Sequence, residues 1–329
     1  MAPHPSRREV LKWTAASALL PTLPVLASAS PKKEVALRIA HLTDIHVQPE
    51  LKAGIGMADA LRIAQERRPK PDLILTGGDL IMDCSGTSAT RAQDQWDIFN
   101  QVLKNELTTP IEHCLGNHDV FAMYRYSKGR QAGEPEYGKK WAMEILGLGH
   151  PYRSFDRAGW HFIVLDSTFP QTDSYTAKLD DEQFEWLVAD LKKTPKTTPI
   201  LVLSHIPILA ACAYFDGNNE KTGNWVVPGS WMHIDARRIT RAFYEHGGVK
   251  LALSGHMHLV DRVDYLGTTY LCNGAVSGAW WRGNYHECEP GFGEVTLYRD
   301  GTFDHKYVTT GWTADMKVSI PGVPVEVVA

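Results

Sequence analysis

Five times along this chain a short apolar run breaks off into a cluster of Asp, Asn, His and Gly. Val35–Leu42 leads into Asp44-Ile45-His46, and the run ending at Thr76 leads into Gly78-Asp79. The run ending at Leu115 leads into Gly116-Asn117-His118-Asp119, Ile200–Ser204 into His205, and Val249–Ser254 into Gly255-His256-Met257-His258. Aliphatic and β-branched runs of this length, bounded by turn formers, read as buried strands. Between them lie amphipathic helical segments. Met57–Arg67 has apolar positions 57, 58, 61 and 64 and is stopped by Pro69 and Pro71; the others are Arg91–Leu107, Asp181–Lys193 behind a capping Asp180, and Asp235–His246. Such alternation specifies an α/β chain. In open α/β sheets ligands gather at the carboxyl ends of the strands, where all five clusters fall.

Asp72–Thr76, Pro110–Leu115 and Trp160–Asp166 complete the predicted central strands. Two hairpins close the pattern, 260–265 with 269–273 around Gly267 and 293–299 with 302–308 around Asp300-Gly301. Residues 120–153 and 210–234 carry no clear periodicity, and loops this long in a compact domain are usually functional or flexible. The chain reads as one catalytic domain over 31–310 with a C-terminal tail, 311–329, and no internal repeat.

At 43% hydrophobic and 22% charged the 329 residues form an ordinary globular composition, which excludes a disordered or collagen-like chain. The net charge of −4 argues against a nucleic-acid polymer as partner. Five cysteines are no disulfide framework in a chain this long, and the odd count leaves at least one thiol unpaired within the chain. Residues 1–29 have the layout of an export signal: Arg7-Arg8, an apolar stretch from Trp13 to Leu26, and Ala27-Ser28-Ala29. The paired arginines followed by Val10-Leu11-Lys12 resemble the twin-arginine type, with Val10 where the usual motif has Phe; an ordinary Sec signal is the alternative. The 14-residue apolar stretch contains Pro21 and Pro24 and falls short of the ~20 residues a spanning helix needs, so no stable membrane anchor is expected. Without this segment 31 basic and 37 acidic side chains remain, a charge of −6. A periplasmic or secreted protein that uses the twin-arginine export machinery is the expectation.

Taken singly the clusters are weak signals. Asp-x-His alternation places both side chains on one strand face, and Gly-Asn-His-Asp also reads as a turn. Taken together and in this order, the chain resembles the calcineurin-like, binuclear metallophosphoesterases, a family that includes purple acid phosphatases, class III cyclic-nucleotide phosphodiesterases and nucleotide pyrophosphatases. The series D-x-H, G-D, G-N-H-D, H and G-H-x-H runs from Asp44 to His258, 215 of the 329 residues. The resemblance implies a four-layer α/β/β/α sandwich of two mixed sheets flanked by helices. It implies that Asp44, His46 and His258 bind one metal ion, that Asn117, His205 and His256 bind a second, and that Asp79 bridges the two. His118 would protonate the leaving group and Asp119 would orient His118. Imidazole, carboxylate and amide donors suit Mn, Fe, Co or Zn. Purple acid phosphatases have a tyrosine three residues after the bridging Asp; Met82 stands there in this chain, which favours a divalent pair.

Two divalent ions, two carboxylates and a bridging hydroxide sum to a charge of about +1, suited to an anionic phosphoryl group. The expected function is therefore an exported metal-dependent phosphoesterase. A phosphodiester substrate is favoured: a cyclic nucleotide, a nucleotide-like ester or a glycerophosphodiester. A phosphomonoesterase on the same centre is the alternative, and a non-catalytic scaffold is disfavoured because His118 and all seven ligand residues are present. Trp225, Asn273, Trp281 and Arg282 are candidates to stack on or grip a small phosphorylated substrate, with Arg125 and Arg153 as further phosphate contacts. His41 and His113 read as core histidines, and Asp83 and Cys84 as loop residues.

Overall fold

A computed structural model of the chain describes residues 33–123, 138–171 and 174–314. Its elements are numbered along the chain. One sheet holds β1 (Val35–Leu42), β2 (Leu73–Thr76), β3 (Ile111–His113), β12 (Gly291–Tyr298) and β13 (Phe303–Thr309), in the order β13-β12-β1-β2-β3. A second sheet holds β4 (Arg153–Arg157), β5 (Trp160–Leu165), β8 (Ile200–Ser204), β9 (Val249–Ser254), β10 (Val260–Tyr265) and β11 (Thr268–Asn273), ordered β10-β11-β9-β8-β5-β4. Both are mixed: β1, β2 and β3 run parallel, as do β5, β8, β9 and β11, while β12, β13, β4 and β10 pair antiparallel. A small hairpin, β6 (Thr168–Pro170) with β7 (Tyr175–Ala177), stands apart from both sheets.

The period-2 pattern of β1 explains the layering. Leu37 and Ile39 pack with Leu73 and Leu75 against Phe162, Leu201, Leu203, Leu251 and Leu253 of the second sheet. Ala40 and Leu42 face the other way, onto Met57, Leu61 and Ala64 of α1 (Ala53–Glu66), in a cluster completed by Trp96 and Phe99 of α2 (Ala89–Glu106). Behind the second sheet, Ile163, Ile200 and Val202 meet Leu187 and Leu191 of α4 (Asp181–Lys193) and Ile239 and Phe243 of α6 (Ala236–His246). The order helix, sheet, sheet, helix is the expected sandwich.

β1, α4, β8 and β9 have the boundaries read from the sequence. The departures are informative. α1 starts at Ala53, four residues before Met57, behind a left-handed Lys52 that makes no side-chain cap, so no capping residue marks it in the sequence. β3 ends at His113, two residues early. The unassigned stretch 120–153 contains α3 (Lys140–Leu146) and the start of β4, and 210–234 contains the one-turn α5 (Cys212–Phe215). Arg125 and residues 1–29 lie outside the described residues.

Candidate metal centre

Parallel pairing sets the strand ends level. Leu42 lies opposite Thr76, Thr76 opposite His113, and Leu203 opposite Leu253. The loops that leave these ends are then zipped together: Asp44 N donates to Gly78 O at 3.1 Å and His46 N to Asp79 O at 3.0 Å. His118 N donates to Asp79 Oδ1 at 2.8 Å, and His256 N reaches both oxygens of Asp44 at 3.0 and 2.9 Å. Five side chains of the site sit on left-handed backbone: Asp44 (φ 54°), His46 (45°), Asp79 (51°), His256 (68°) and His258 (57°). For residues with a Cβ this conformation costs on the order of 1–3 kcal/mol each and gathers at functional sites. Gly255 is required by close approach, because a Cβ there would lie 1.9 Å from Thr43 Oγ1 and 2.1 Å from Asp44 Oδ2.

The result is two groups of donors that meet at one carboxylate. In the first, Asp44 Oδ1 lies 3.4 Å from His258 Nε2, which is 3.1 Å from His46 Nε2. In the second, His205 Nε2 lies 3.1 Å from Asn117 Oδ1 and 3.3 Å from His256 Nδ1. Asp79 Oδ2 is 3.6 Å from His46 Nε2 and 3.3 Å from His205 Nε2, between the two groups. All seven side chains assigned as ligands from the sequence are thus brought together, and all but the rim residue His256 are buried. Backbone carbonyls orient two of the imidazoles: His258 Nδ1 hydrogen-bonds Gly278 O at 2.6 Å and His205 Nδ1 hydrogen-bonds Gly77 O at 2.8 Å, which turns each Nε2 into the site.

The electrostatics suit cations. Burial, then the neighbouring His118, holds His46 well below the ordinary histidine value, and burial with His205 pushes His256 down to about 3, so both offer neutral lone pairs. Burial works against the Asp44 charge, but hydrogen bonding and charge from His258 overcome it and hold the carboxyl at about 2. Burial likewise opposes ionisation of Asp79, and His205 and His118 outweigh it and keep that carboxyl well below its usual range. At His205 burial is again overcome, this time by Asp79, and the imidazole is raised to about 9. A proton there answers the same carboxylate charge that a divalent ion would answer. Buried anions and lone pairs converging within 4.8 Å fit divalent ions.

His118 stands at the mouth, its side chain 30% exposed, with Nε2 4.0 Å from Asp79 Oδ2. Its Nδ1 hydrogen-bonds Met82 O at 2.6 Å. That contact corrects the role expected of Asp119. The Asp119 carboxylate accepts from Leu80 N and Gly116 N, both at 2.8 Å, and ties the loop after β3 to the loop after β2. Met82 O, not Asp119, orients the His118 ring.

The donors open into a cavity of about 280 Å³ whose other lining residues are Tyr175, Asp216, Trp231, Met257, Trp280 and Tyr285. The four substrate candidates lie elsewhere. Trp281 is 1% exposed, packed on α1, with its indole N–H donating to His46 O at 3.0 Å. Asn273 is fully buried between His41 and His305, whose ring nitrogens hold the two ends of its amide at 2.8 and 2.7 Å. Trp225 meets Tyr214 and Phe215 edge to face, and neither it nor Arg282 lines the cavity. Arg153 is spent on Glu112 and the carbonyl of His113. Trp231 falls within the unassigned stretch 210–234, Trp280 and Tyr285 lie close in sequence to the candidates Trp281 and Arg282, and Met257 lies within G-H-M-H. Tyr175 and Asp216 carried no signal, one lying on a three-residue strand and the other in a loop.

A profile of the Calcineurin-like phosphoesterase family matches residues 37–260, which include every donor named above. The chain belongs to this family. This phosphoesterase is 27% identical over 289 residues to a 3′,5′-cyclic-nucleotide phosphodiesterase of Nostoc sp., covering 83% of the chain and 92% of that protein. It is 24% identical to the 3′,5′-cyclic adenosine monophosphate phosphodiesterase CpdA of Escherichia coli K12, over 86% and 94% of the two chains. Among solved structures it resembles a dimetal phosphatase from Danio rerio, with a TM-score of 0.58 and 17% identity over 84% of this chain and 97% of that one. The phosphoesterase is a hydrolase of phosphoric esters, its family is binuclear, and its clustered Asp and His side chains are able to bind the metals.

Proposed function

We propose that this phosphoesterase is an exported phosphodiesterase in which Asp44, His46 and His258 hold one divalent ion, Asn117, His205 and His256 hold a second, and Asp79 bridges them. The observation that carries the reading is the position of Asp79 Oδ2 between the two donor groups, with His118 beside it at the mouth. When bound, a pair of divalent ions activates water and clamps the attacking and leaving oxygens. The chain's own part is to fix that geometry and to move a proton. With Nδ1 held on Met82 O, His118 protonated at Nε2 would give that proton to the leaving oxygen as its bond to phosphorus breaks, while the water's oxygen, having lost a proton to solvent, bonds to phosphorus.

Charge favours a diester. Asp44, Asp79 and a bridging hydroxide would leave about +1 on two divalent ions, and the described cavity lining adds the carboxylate of Asp216 and neither Lys nor Arg. A diester monoanion matches that excess better than a monoester dianion. The names of the relatives support the same preference and bring cyclic nucleotides, nucleotide-like esters and glycerophosphodiesters into range. Protein stripped by a chelator and reloaded with Mn, Co or Zn should hydrolyse bis(p-nitrophenyl) phosphate with higher kcat/KM than p-nitrophenyl phosphate. The reverse order makes it a phosphomonoesterase, and activity that survives full metal removal overturns the mechanism. Export through the twin-arginine route rests on Arg7-Arg8 and the segment after them. Replacing both arginines by lysine should retain the precursor in the cytoplasm; unchanged secretion would point to the Sec route.

A further inference from the structure

Beyond the metal donors and His118, the cavity has an unusual lining for a site that handles anions. Four of its six remaining described residues are aromatic (Tyr175, Trp231, Trp280 and Tyr285), one is the thioether Met257, and one is the carboxylate Asp216. The rings of Trp280 and Tyr285 meet at 87° with centroids 5.6 Å apart, forming a corner, and Trp280 continues onto His258 at 4.7 Å. Opposing demands on the backbone produce that corner. Trp280 and Trp281 are consecutive left-handed residues (φ 50° and 70°), a costly conformation for bulky side chains. Trp281, buried and bonded to His46 O, anchors the turn, and the turn projects Trp280 into the cavity.

Asp216 closes the set. Its side chain is only 13% exposed, and its Oδ1 takes the hydroxyl of Tyr285 at 3.0 Å and Nε2 of His286 at 3.3 Å. Hydrogen bonding to these neighbours occupies Oδ1, and the residue borders the aromatic-walled cavity with a negative charge. A nucleobase would ask for donors and acceptors along its edge. Ring faces, a sulfur and a negative charge already engaged in hydrogen bonds instead complement a cation that has no N–H to donate.

Resting on the phosphodiesterase reading above, we infer that the Trp280–Tyr285 corner with Asp216 is a binding site for a quaternary ammonium group, so that the preferred substrates are phosphodiesters with a choline-type arm. The metals draw the phosphoryl group and the corner draws the positive end, which sets the direction in which the diester lies.

The test compares glycerophosphocholine with its neutral isostere, in which a tert-butyl group replaces the trimethylammonium, using the metal-reloaded protein. The cationic diester should show about ten- to hundred-fold higher kcat/KM, and the ratio should fall toward one in Asp216→Asn and in Trp280→Leu. Equal kcat/KM for the two isosteres in the parent protein overturns the inference, as does faster turnover of cyclic AMP than of glycerophosphocholine. Tetramethylammonium chloride added to the reloaded protein gives a readout independent of turnover. It should quench tryptophan fluorescence saturably in the parent but not in Trp280→Leu, and a titration no different from that with sodium chloride again overturns the site. Loss of bis(p-nitrophenyl) phosphate hydrolysis alone would count against the phosphodiesterase reading and leave the fluorescence titration to decide the ammonium site.

Discussion

A single oxygen, Asp79 Oδ2, joins the two donor groups, and the residue with the most separable role stands next to it. His118 contributes its ring from the rim and belongs to neither set of metal donors proposed here, so its loss should be chemical. The substitution His118→Ala should leave two metal equivalents bound, counted by elemental analysis, while lowering kcat on an alkyl diester by roughly 10²–10⁴-fold. An unchanged rate with a poor leaving group would remove His118 from the role of acid. A second histidine illustrates the opposite use of charge. His161 is clipped between Asp156 Oδ1 at 2.7 Å and Asp190 Oδ2 at 2.9 Å, far from the donors in sequence. Its hydrogen bond to Asp190, then that to Asp156, raises its pKa above the ordinary 6.5. A histidine whose pKa is raised by folding stabilises the fold fully below its unfolded pKa and loses that contribution as pH rises through the folded value. The stability gap between the parent and His161→Gln, measured by urea unfolding, should therefore be larger near about pH 5.5 than near about pH 9. A gap independent of pH would mean that the clip acts by packing alone.

At the scale of elements, the site is made by what happens after strands stop. Within one sheet β1, β2 and β3 end level and within the other β8 and β9 do, and the residues after β1, β2 and β9 bend into left-handed conformations. One helix is shaped to support these loops. A Cβ on Gly56 of α1 would lie 2.1 Å from the Trp281 ring, so the indole can bond His46 O only because that position is bare. Gly56→Ala should destabilise the protein by about 1–3 kcal/mol, as overpacking does, despite the better helix propensity of alanine. It should also weaken metal binding in a competition titration with a chromogenic chelator; a stabilised variant with unchanged affinity would show that Trp281 does not position His46. The strands themselves were legible because buried runs of Val, Ile and Leu bounded by turn residues have few other readings. α3, α5 and β4 were not, since each is short and gets its stability from packing against the rest rather than from its own period.

For the whole molecule, the decisive feature is that each donor group draws on both sheets. Asp44 and His46 follow β1 of the first sheet and meet His258 after β9 of the second; Asn117 follows β3 of the first and meets His205 and His256 from the second. Ions held there would staple the two layers, adding to the apolar seam around Leu75, Leu203 and Leu253 and to polar contacts such as Asn273 with His41 and Trp160 Nε1 with Tyr298 O. Saturation at a thousandfold excess over Kd stabilises a folded state by about 4 kcal/mol. Metal-loaded protein should then melt on the order of 10 °C above chelated protein in differential scanning calorimetry. The double variant His205→Ala, His258→Ala, which takes one donor from each group, should lose most of that shift. Equal melting points with and without metal would mean that the ions do not join the sheets.

What the sequence determined by itself was the α/β class, the long strands and the seven donor types, because each motif follows an apolar run and chemistry restricts which side chains can serve there. Even so, nothing in Asp44-Ile45-His46 states that Asp79 lies 3.6 Å from His46. That distance comes from strand register and from left-handed turns that the rest of the fold compels. The same limit explains the exchange of neighbouring tryptophans. Local sequence marks Trp280-Trp281 as aromatic, but only the packing of α1 and the bond to His46 O decide that Trp281 is buried and Trp280 faces the cavity. The family resemblance implied that Asp119 orients His118, whereas the folded chain turns its carboxylate to the amides of Leu80 and Gly116. Residue type is local information, while the direction a side chain takes is a property of everything packed around it.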